Sequence, residues 1–183
     1  MLVIIQIIYN ISHRILVTYA SRTATTAGVA EAIGRKLSDN GALVEVLPME
    51  EVTDLAPYST VVAGSAIRTG QWLPEAMAFV HAHQDILKTK TFAIFTVCMT
   101  LAMTRAKQYK AGVEEWVLPV RMLVKPVSEG YFAGRLDISQ IRSLADRVKF
   151  RLSVWTGVWK EGDHRDWKSI EAWAGELMTL LKL

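Results

Sequence analysis

The residues best suited to chemistry form a hydroxyl-rich loop that directly follows an apolar, strand-like run at positions 14–19. A helical pattern begins where the loop ends. Free backbone N–H groups at a helix start, together with the helix dipole, favour a phosphate dianion, and hydroxyls add hydrogen bonds there without adding full charge. The residues in question are Ser21, Arg22, Thr23, Ala24, Thr25 and Thr26. Their order and position predict a phosphate-binding loop.

A helix cap is the plain alternative, in which Ser21 or Thr25 does no more than bond a first-turn N–H group. The loop has neither G-x-G-x-x-G nor the lysine of G-x-x-x-x-G-K-[ST]. Those absences argue against a dinucleotide-binding fold and against an NTPase. The place of the loop, directly after the first strand of an alternating pattern, favours phosphate binding over capping.

Strand-like and helical patterns alternate along the rest of the chain. The predicted strands cover 14–19, 42–47, 60–64, 91–97 and 122–132, and the predicted helices run from the loop to about 39, from 74 to 87 and from 103 to 116. Such alternation predicts a doubly wound α/β fold, with a parallel sheet and helices on both faces. Ligands of these sheets bind at the carboxyl ends of the strands. The loops of interest are therefore 20–27, 64–72, 97–103 and 132–137.

Length and composition fit one domain. The chain has 183 residues, of which 51% are hydrophobic and 21% charged, with a net charge of +3, which is ordinary for a globular protein. We expect residues 14–183 to form the domain. Residues 1–13 open with a largely apolar run, 1–11, which is too short to span a bilayer. We interpret them as an N-terminal extension, with packing on the body or contact with a membrane as alternatives.

The cysteine and histidine residues and the net charge limit the cellular location and the partners that we expect for this protein. A single cysteine and the lack of a signal peptide pattern favour the cytoplasm. The pair His81 and His83 is more typical of solvated side chains than of metal ligands, so no metal is expected. The basic residues are scattered, and nucleic acid is not an expected partner.

Three positions of the hydroxyl-rich loop match a known pattern. Flavodoxins carry [T/S]-x-T-G-x-T in the loop that wraps the phosphate of FMN, and Ser21, Thr23 and Thr26 stand at the matching positions. The chain thus resembles the flavodoxins, and the resemblance implies FMN as cofactor and a five-stranded sheet in the order 2-1-3-4-5. Ala24 departs from the pattern, because the family has glycine there and alanine resists a positive φ.

Four further segments are similar to one flavodoxin-like family, the menaquinone-dependent protoporphyrinogen oxidases. They are 61–72, 95–102, 132–137 and 166–177. The resemblance implies that two loops border the flat isoalloxazine ring, one on each side. On one side would lie Ser65, Ala66, Ile67, Arg68, Thr69 and Gly70, and on the other Val97, Cys98, Met99 and Thr100.

Four side chains near the implied ring position receive particular roles. Gly70 would let the backbone approach the ring closely. Arg68 would stabilise the reduced, anionic ring, with a surface salt bridge as the alternative. Trp72 is the candidate for stacking on the ring, unless it only packs on the following helix. Cys98 has no partner cysteine and follows an apolar strand, so a small buried residue is favoured over a redox thiol.

The segment 138–159 combines an apolar helical face with basic residues. The apolar positions are Ile141, Leu144, Val148 and Leu152, the basic ones are Arg142, Arg147, Lys149 and Arg151, and Trp155 and Trp159 follow. In the resembled family an insertion at this place is thought to meet the membrane where quinone resides, and a basic amphipathic helix can lie on an anionic bilayer. The alternative is a helix packed on the core with a solvated basic face.

Three functions fit these observations. The leading one is an FMN-dependent oxidoreductase of porphyrin biosynthesis that oxidises protoporphyrinogen IX or a related substrate and reduces a quinone-type acceptor. The flavin supplies the redox chemistry, and no protein acid or base stands out in the loops. The second is a flavodoxin-type electron-transfer protein without its own substrate, although such carriers are strongly acidic and this chain is net positive. The third is a non-enzymatic binding module on the same scaffold, which the departure at Ala24 keeps open.

Overall fold

The computed structural model describes residues 14–39, 41–103, 106–141 and 143–181. Residues 1–13, interpreted above as an N-terminal extension, lie outside this range, as does Arg142 of the basic segment. The strands are β1 (Arg14–Ala20), β2 (Leu43–Pro48), β3 (Thr60–Arg68), β4 (Gln71–Trp72), β5 (Thr91–Val97), β6 (Ser128–Phe132), β7 (Arg135–Leu136) and β8 (Gly162–Asp163). The helices are α1 (Thr25–Ser38), α2 (Pro74–Ala82), α3 (Gln84–Leu87), α4 (Ala106–Glu115), α5 (Leu118–Leu123), α6 (Leu144–Trp155) and α7 (Trp167–Leu181).

The main sheet is parallel and has the strand order β2-β1-β3-β5-β6. The short β4 pairs with the end of β3 in the antiparallel sense, and when it is set aside the order is the predicted 2-1-3-4-5. Strands β7 and β8 form a separate antiparallel ribbon. The predicted doubly wound α/β fold is confirmed.

Helices cover both faces of the sheet and bury two apolar layers. On one face α1 and α7 pack over the sheet through residues such as Val29, Ile33 and Ile170, which are fully buried. On the other face α2 and α5 contribute residues such as Val80 and Val120. The burial of Val29 and Ile33 confirms the helical spacing seen in the sequence, because one stripe of α1 faces the sheet.

Several predicted element boundaries are wrong, each for a local reason. Strand β3 runs on to Arg68 rather than stopping at Gly64, because β4 pairs with its last residues. The fifth parallel strand begins at Ser128 and not near 122, since a proline begins helix α5 instead. The helix predicted for 74–87 is interrupted at His83, whose φ and ψ are not helical.

Gly64 shows how tightly the sheet is packed and gives a test of the fold. A Cβ built at Gly64 would lie 1.9 Å from the Phe95 ring of the neighbouring strand. Gly64→Ala should therefore lower the free energy of unfolding by about 3 kcal/mol, as expected for an overpacked core. Urea unfolding followed by circular dichroism measures the change.

The matched control is Gly175→Ala in α7, where nothing lies within 4 Å of the new Cβ. This change should raise the free energy of unfolding by about 0.5–1 kcal/mol, because alanine is the better helix former. Equal effects of the two substitutions would contradict the packing described for β3 and β5.

Candidate functional site

The register of the parallel strands brings the ends of four strands together. Ala20 of β1 pairs with Ser65 of β3, Ala66 pairs with Val97 of β5, and Val97 pairs with Phe132 of β6. The loops that follow these residues therefore start side by side at one edge of the sheet. The predicted binding loops 20–27, 64–72 and 97–103 meet there beside the end of β6, from which the fourth loop starts. Ligands of doubly wound sheets bind at this edge.

The first loop turns the chain sharply from β1 into α1. Ala24 is the residue before the helix and has a left-handed backbone, with φ of 56°. Its carbonyl accepts the hydrogen bond from the Gly28 N–H at 3.0 Å, so the helix is closed directly behind it. The loop thus keeps a backbone path suited to glycine although alanine occupies the position, at a strain of about 1–2 kcal/mol.

Two buried hydroxyls of this loop have no partner. In the part of the chain that the structure describes, Ser21 Oγ and Thr26 Oγ1 are enclosed and make no hydrogen bond, and Thr26 is 1% exposed. No side chain caps α1, so the capping role considered for Ser21 and Thr25 is wrong. Buried hydroxyls without a partner cost free energy. A phosphate dianion over the start of α1 would satisfy both.

The other side chains of the loop are engaged with protein groups. Thr25 Oγ1 lies 3.3 Å from Thr23 Oγ1. The Arg22 guanidinium forms a salt bridge of 2.9 Å with Glu75 in the first turn of α2. Both partners are substantially exposed, so the bridge contributes under about 1 kcal/mol. Its effect is to connect the first loop to the helix that follows the second.

The second loop is a tight hairpin between β3 and β4. Ile67 pairs with Trp72 and Arg68 with Gln71, and the turn consists of Thr69 and Gly70. Both turn residues have positive φ, 51° and 76°, as two-residue hairpins of this twist require. The sequence places Ser65, Ala66, Ile67 and Arg68 in a loop, whereas the structure places them in the strand.

Trp72 lies inside the protein and not on its surface. It is 1% exposed, and its Nε1 donates a hydrogen bond of 3.0 Å to Thr96 Oγ1. Ser65 is also committed, because its Oγ accepts from the Leu73 N–H at 3.1 Å. A ring could not stack on Trp72 in this position, so the structure corrects that prediction in favour of the packing alternative.

A second tryptophan, missed by sequence reasoning, contacts the hairpin. A Cβ built on Gly70 would lie 3.3 Å from Nε1 of Trp116, which is half-buried just beyond α4. Trp116 is separated from Gly70 by more than forty residues of sequence. No local pattern marked it, because the contact depends on how α4 returns across the sheet edge.

The third loop starts with Cys98, which is buried as a free cysteine. The interpretation as a small buried residue is therefore confirmed. Met99 and Thr100 follow in a single 3-10 turn, Met99–Ala102, and both are half-buried. This turn directly follows the end of β5.

Gly134, which follows β6, closes a gap between the first and third loops. A Cβ built there would lie 3.4 Å from Val97 Cγ1, 3.5 Å from Met99 Sδ and 3.7 Å from Thr25 Cγ2. The first loop, the third loop and the chain after β6 are thus in contact. The sequence predicted these loops separately, and the contact distances bring them into one site.

Arg68 forms a surface ion pair. Its Nη2 lies 3.5 Å from Asp146 Oδ2 in the first turn of α6, and the Arg68 side chain is 63% exposed. This is the surface salt bridge considered as the alternative for Arg68, and contact of Arg68 with the ring stays a prediction. The pair connects the hairpin to the segment 138–159.

A cleft of about 550 Å³ lies beside the first loop, toward β2. Tyr19, Ser21, Met49, Phe79 and His83 are among the residues that line it. Burial, and then the charges of nearby glutamates, raise the pKa of Tyr19. Neither the hairpin turn nor the third loop borders this cleft, so it is separate from the implied ring position.

A family model described as "Flavodoxin domain" matches residues 16–165. The chain belongs to this family. FMN is accordingly its cofactor, and the orphaned hydroxyls of Ser21 and Thr26 fit the FMN phosphate. The contacts drawn for the ring, from Ser65 to Gly70 and from Val97 to Thr100, stay predictions.

Solved flavodoxins share the fold at low sequence identity. A short-chain flavodoxin associated with a non-canonical PDU bacterial microcompartment is 13% identical, with a TM-score of 0.58 over 92% of this chain and 98% of its own. A flavodoxin of Streptococcus pneumoniae TIGR4 is 17% identical, with a TM-score of 0.57 over 91% of this chain and 99% of its own. The two-electron reduced flavodoxin of Megasphaera elsdenii is 14% identical, with a TM-score of 0.51 over 88% and 98%. No curated protein matched the sequence.

The structure also bears on whether a helix crosses a membrane. Among the helices of the described ranges, none has the length and apolar character needed to cross a bilayer.

The unpartnered hydroxyl of Thr26 gives a test of the phosphate site. Thr26→Val keeps the shape and removes the hydroxyl, so the FMN-free protein should gain about 1 kcal/mol of stability while the dissociation constant for FMN rises about tenfold. Quenching of flavin fluorescence measures binding, and urea unfolding of the FMN-free protein measures stability.

Thr18→Val is the matched control, because Thr18 Oγ1 is also buried without a partner but lies within β1. It should stabilise the FMN-free protein to a similar extent and leave the affinity for FMN unchanged. Unaltered FMN binding in Thr26→Val would remove Thr26 from the phosphate site.

Proposed function

We propose that the protein is an FMN-dependent oxidoreductase that oxidises protoporphyrinogen IX or a related porphyrinogen and reduces a quinone-type acceptor at a membrane surface. The observation that carries this proposal is the exposed apolar face of α6, whose first turn contacts the hairpin expected to border the flavin ring.

Helix α6 presents an unpartnered apolar stripe, which we define as Leu144, Val148, Leu152 and Trp155. These residues recur at helical spacing and are all exposed, with Trp155 at 84%. No residue of α6 is fully buried, although Phe150 and Val154 are half-buried, and this argues against the alternative of a helix packed deep in the core. The four large apolar side chains exposed in line make the stripe suited to contact with lipid.

Basic side chains accompany the stripe. Lys149 and Arg151 are exposed on α6, and Lys160 follows it. Arg147 is held by the chain itself, with Nη2 donating to the Ser139 carbonyl at 3.0 Å. Basic residues near an anionic surface contribute about 1 kcal/mol each. Apolar and basic groups together favour an anionic bilayer over a neutral one.

The stripe begins next to the hairpin that is expected to border the flavin ring. Asp146, in the first turn of α6, holds the ion pair with Arg68 beside the hairpin turn. A quinone dissolved in the bilayer would therefore meet the protein near the loops expected to border the ring. In this arrangement α6 binds the surface, and the hairpin and third loop orient the ring.

The overall reaction is balanced without a further reactant. Conversion of a porphyrinogen to a porphyrin removes six electrons and six protons and therefore takes three rounds. Each round removes two electrons and two protons from the porphyrinogen, and these reduce one quinone to a hydroquinone. Bound FMN supplies the electron transfer between the two. The protein has to bind the ring, keep the two substrates apart and exclude water, and the loops offer no acid or base to which a proton transfer must be assigned.

A flavodoxin-type carrier without its own substrate is the second candidate. The observation in its favour is the likeness to solved flavodoxins over nearly their full length. The charge argues the other way, because acidic carriers are steered to basic partners and this chain has a net charge of +3. Turnover of a substrate distinguishes the two candidates.

An anaerobic assay tests the oxidoreductase. The FMN-loaded protein is mixed with protoporphyrinogen IX and, in turn, a menaquinone, a ubiquinone and a benzoquinone. Porphyrin fluorescence should appear only when both a quinone and FMN are present. If no quinone supports porphyrin formation while a chemical reductant still bleaches the flavin band, the proposed oxidoreductase function is wrong, and the carrier or a reductase of another substrate remains.

Vesicle binding tests the surface proposed for α6. Trp155→Ser should lower partition onto vesicles of anionic phospholipid about tenfold or more, since a large apolar side chain no longer enters the interface. Co-sedimentation measures the bound fraction.

Met122→Ser is the matched control, because Met122 is 85% exposed on α5, outside the stripe. It should leave vesicle binding unchanged. Equal losses in the two variants, or none in Trp155→Ser, would contradict membrane contact through 138–159.

A further inference from the structure

The chain between β6 and α7, residues 133–166, is here called the insertion. It contains the β7–β8 ribbon and α6. Near its start, Gly134 contacts the first and third loops as described above, and its carbonyl accepts the His164 N–H at 3.1 Å. The two ends of the insertion are therefore joined beside Thr25. Together the two ends form a surface beside the first loop that is distinct from the hairpin and from the third loop.

Arg165, at the far end of the insertion, is held by three neighbours. Its Nε and Nη2 donate to the carboxylate of Asp163 at 2.8 and 2.5 Å. Its guanidinium lies 4.3 Å over the Trp167 ring. The hydrogen bond from Arg165, more than any other contact, lowers the pKa of Asp163, so this carboxylate is charged at neutral pH. The side chain is only 12% exposed and its orientation is fixed.

The third neighbour is the first turn of α1. A Cβ built on Gly28 would lie 2.6 Å from Nη1 of Arg165, so the guanidinium occupies the space that any side chain at position 28 would need. Glycine inside a helix costs about 1 kcal/mol relative to alanine. Among the hydrogen bonds of the described residues, Nη1 has no partner, whereas the other two guanidinium nitrogens are taken by Asp163.

We propose that the insertion is a fourth wall of the FMN site and that Arg165, seated on Gly28, is the positioning residue that fixes this wall against the phosphate end of the cofactor. The proposal rests on FMN as cofactor and is independent of the porphyrinogen and the membrane. Arg165 acts through the start of α1, where the orphaned hydroxyl of Thr26 lies two residues before Gly28.

Arg165 affects phosphate binding because it keeps the first turn of α1 ordered. Phosphate binding at a helix N-terminus depends on N–H groups and hydroxyls that already point to one place. A guanidinium packed on the first turn, and Gly134 packed beside Thr25, restrict the motion of the turn from outside. The positive charge of Arg165 also favours a nearby dianion, although Asp163 offsets much of that charge.

A double-mutant cycle tests the contact. Arg165→Met removes the guanidinium, and Gly28→Ala removes the space that it occupies. Each should raise the dissociation constant for FMN about tenfold, and the double variant should raise it no further, because both changes break the same contact. Flavin fluorescence titration gives the constants, and urea unfolding without FMN shows that each variant folds.

Riboflavin is the ligand control, since it has the ring but no phosphate. Its affinity should be nearly equal in all four proteins if Arg165 acts at the phosphate end. Arg35→Met is the charge control, because Arg35 lies in the last turn of the same helix, and it should bind FMN like the parent protein. Parent-like FMN binding in Arg165→Met, additive effects in the double variant, or equal losses for FMN and riboflavin would each overturn the proposal.

Discussion

The left-handed turn at Ala24 is the constraint on which the rest of the site depends. Strand β1 ends at Ala20 and α1 begins at Thr25, so the chain has four residues in which to reverse direction. A positive φ at Ala24 makes the reversal and aims the first N–H groups of α1 over the sheet edge. Alanine bears strain there that glycine would not. The strain persists because the helix behind the turn is packed on the sheet through fully buried residues such as Val29 and Ile33.

The site grows outward from that turn through contacts that are individually weak. The Arg22–Glu75 pair connects the first loop to α2, and the Arg68–Asp146 pair connects the hairpin to α6. Both ion pairs are exposed, so neither contributes much stability. Their value is geometric, since each fixes the position of one segment relative to the next. The buried contacts at Gly134 and Gly28 complete the connection between the insertion and the first loop.

The insertion combines two properties that simple electron carriers of this fold do not need together. One of its ends packs beside the phosphate loop, and its middle exposes an apolar stripe with basic neighbours. An apolar helix face that stays in water costs free energy. A helix of this kind is therefore expected where another surface covers the face while the protein functions. An oxidoreductase that takes a lipid-soluble acceptor has such a surface available to it, which is why the proposed function places α6 on a bilayer.

Patterns in the sequence were enough to predict the class of fold and the kind of loop. Alternating strand and helix patterns are local, and a helix start with hydroxyls before it attracts phosphate wherever the helix lies. The position of Ser21, Thr23 and Thr26 after the first strand was therefore enough to predict a phosphate site, and the resemblance to the flavodoxins then implied FMN. Arg68 and Trp72 show the limit of this reasoning. Both were assigned to the ring side of the site by the family resemblance. The pairing of β4 with β3 instead places Trp72 in the core, and Arg68 forms an ion pair with Asp146.

The identity of the distant residues that complete the site depends on the packing of the whole fold. Trp116 reaches Gly70, and Arg165 reaches Gly28, across long stretches of sequence that carry no shared periodicity. The tertiary structure also decided that α6 is exposed rather than packed on the core, because its amphipathic pattern is the same in either case. A pattern of side chains records which face of a helix is apolar. What that face meets depends on the space left by the rest of the fold.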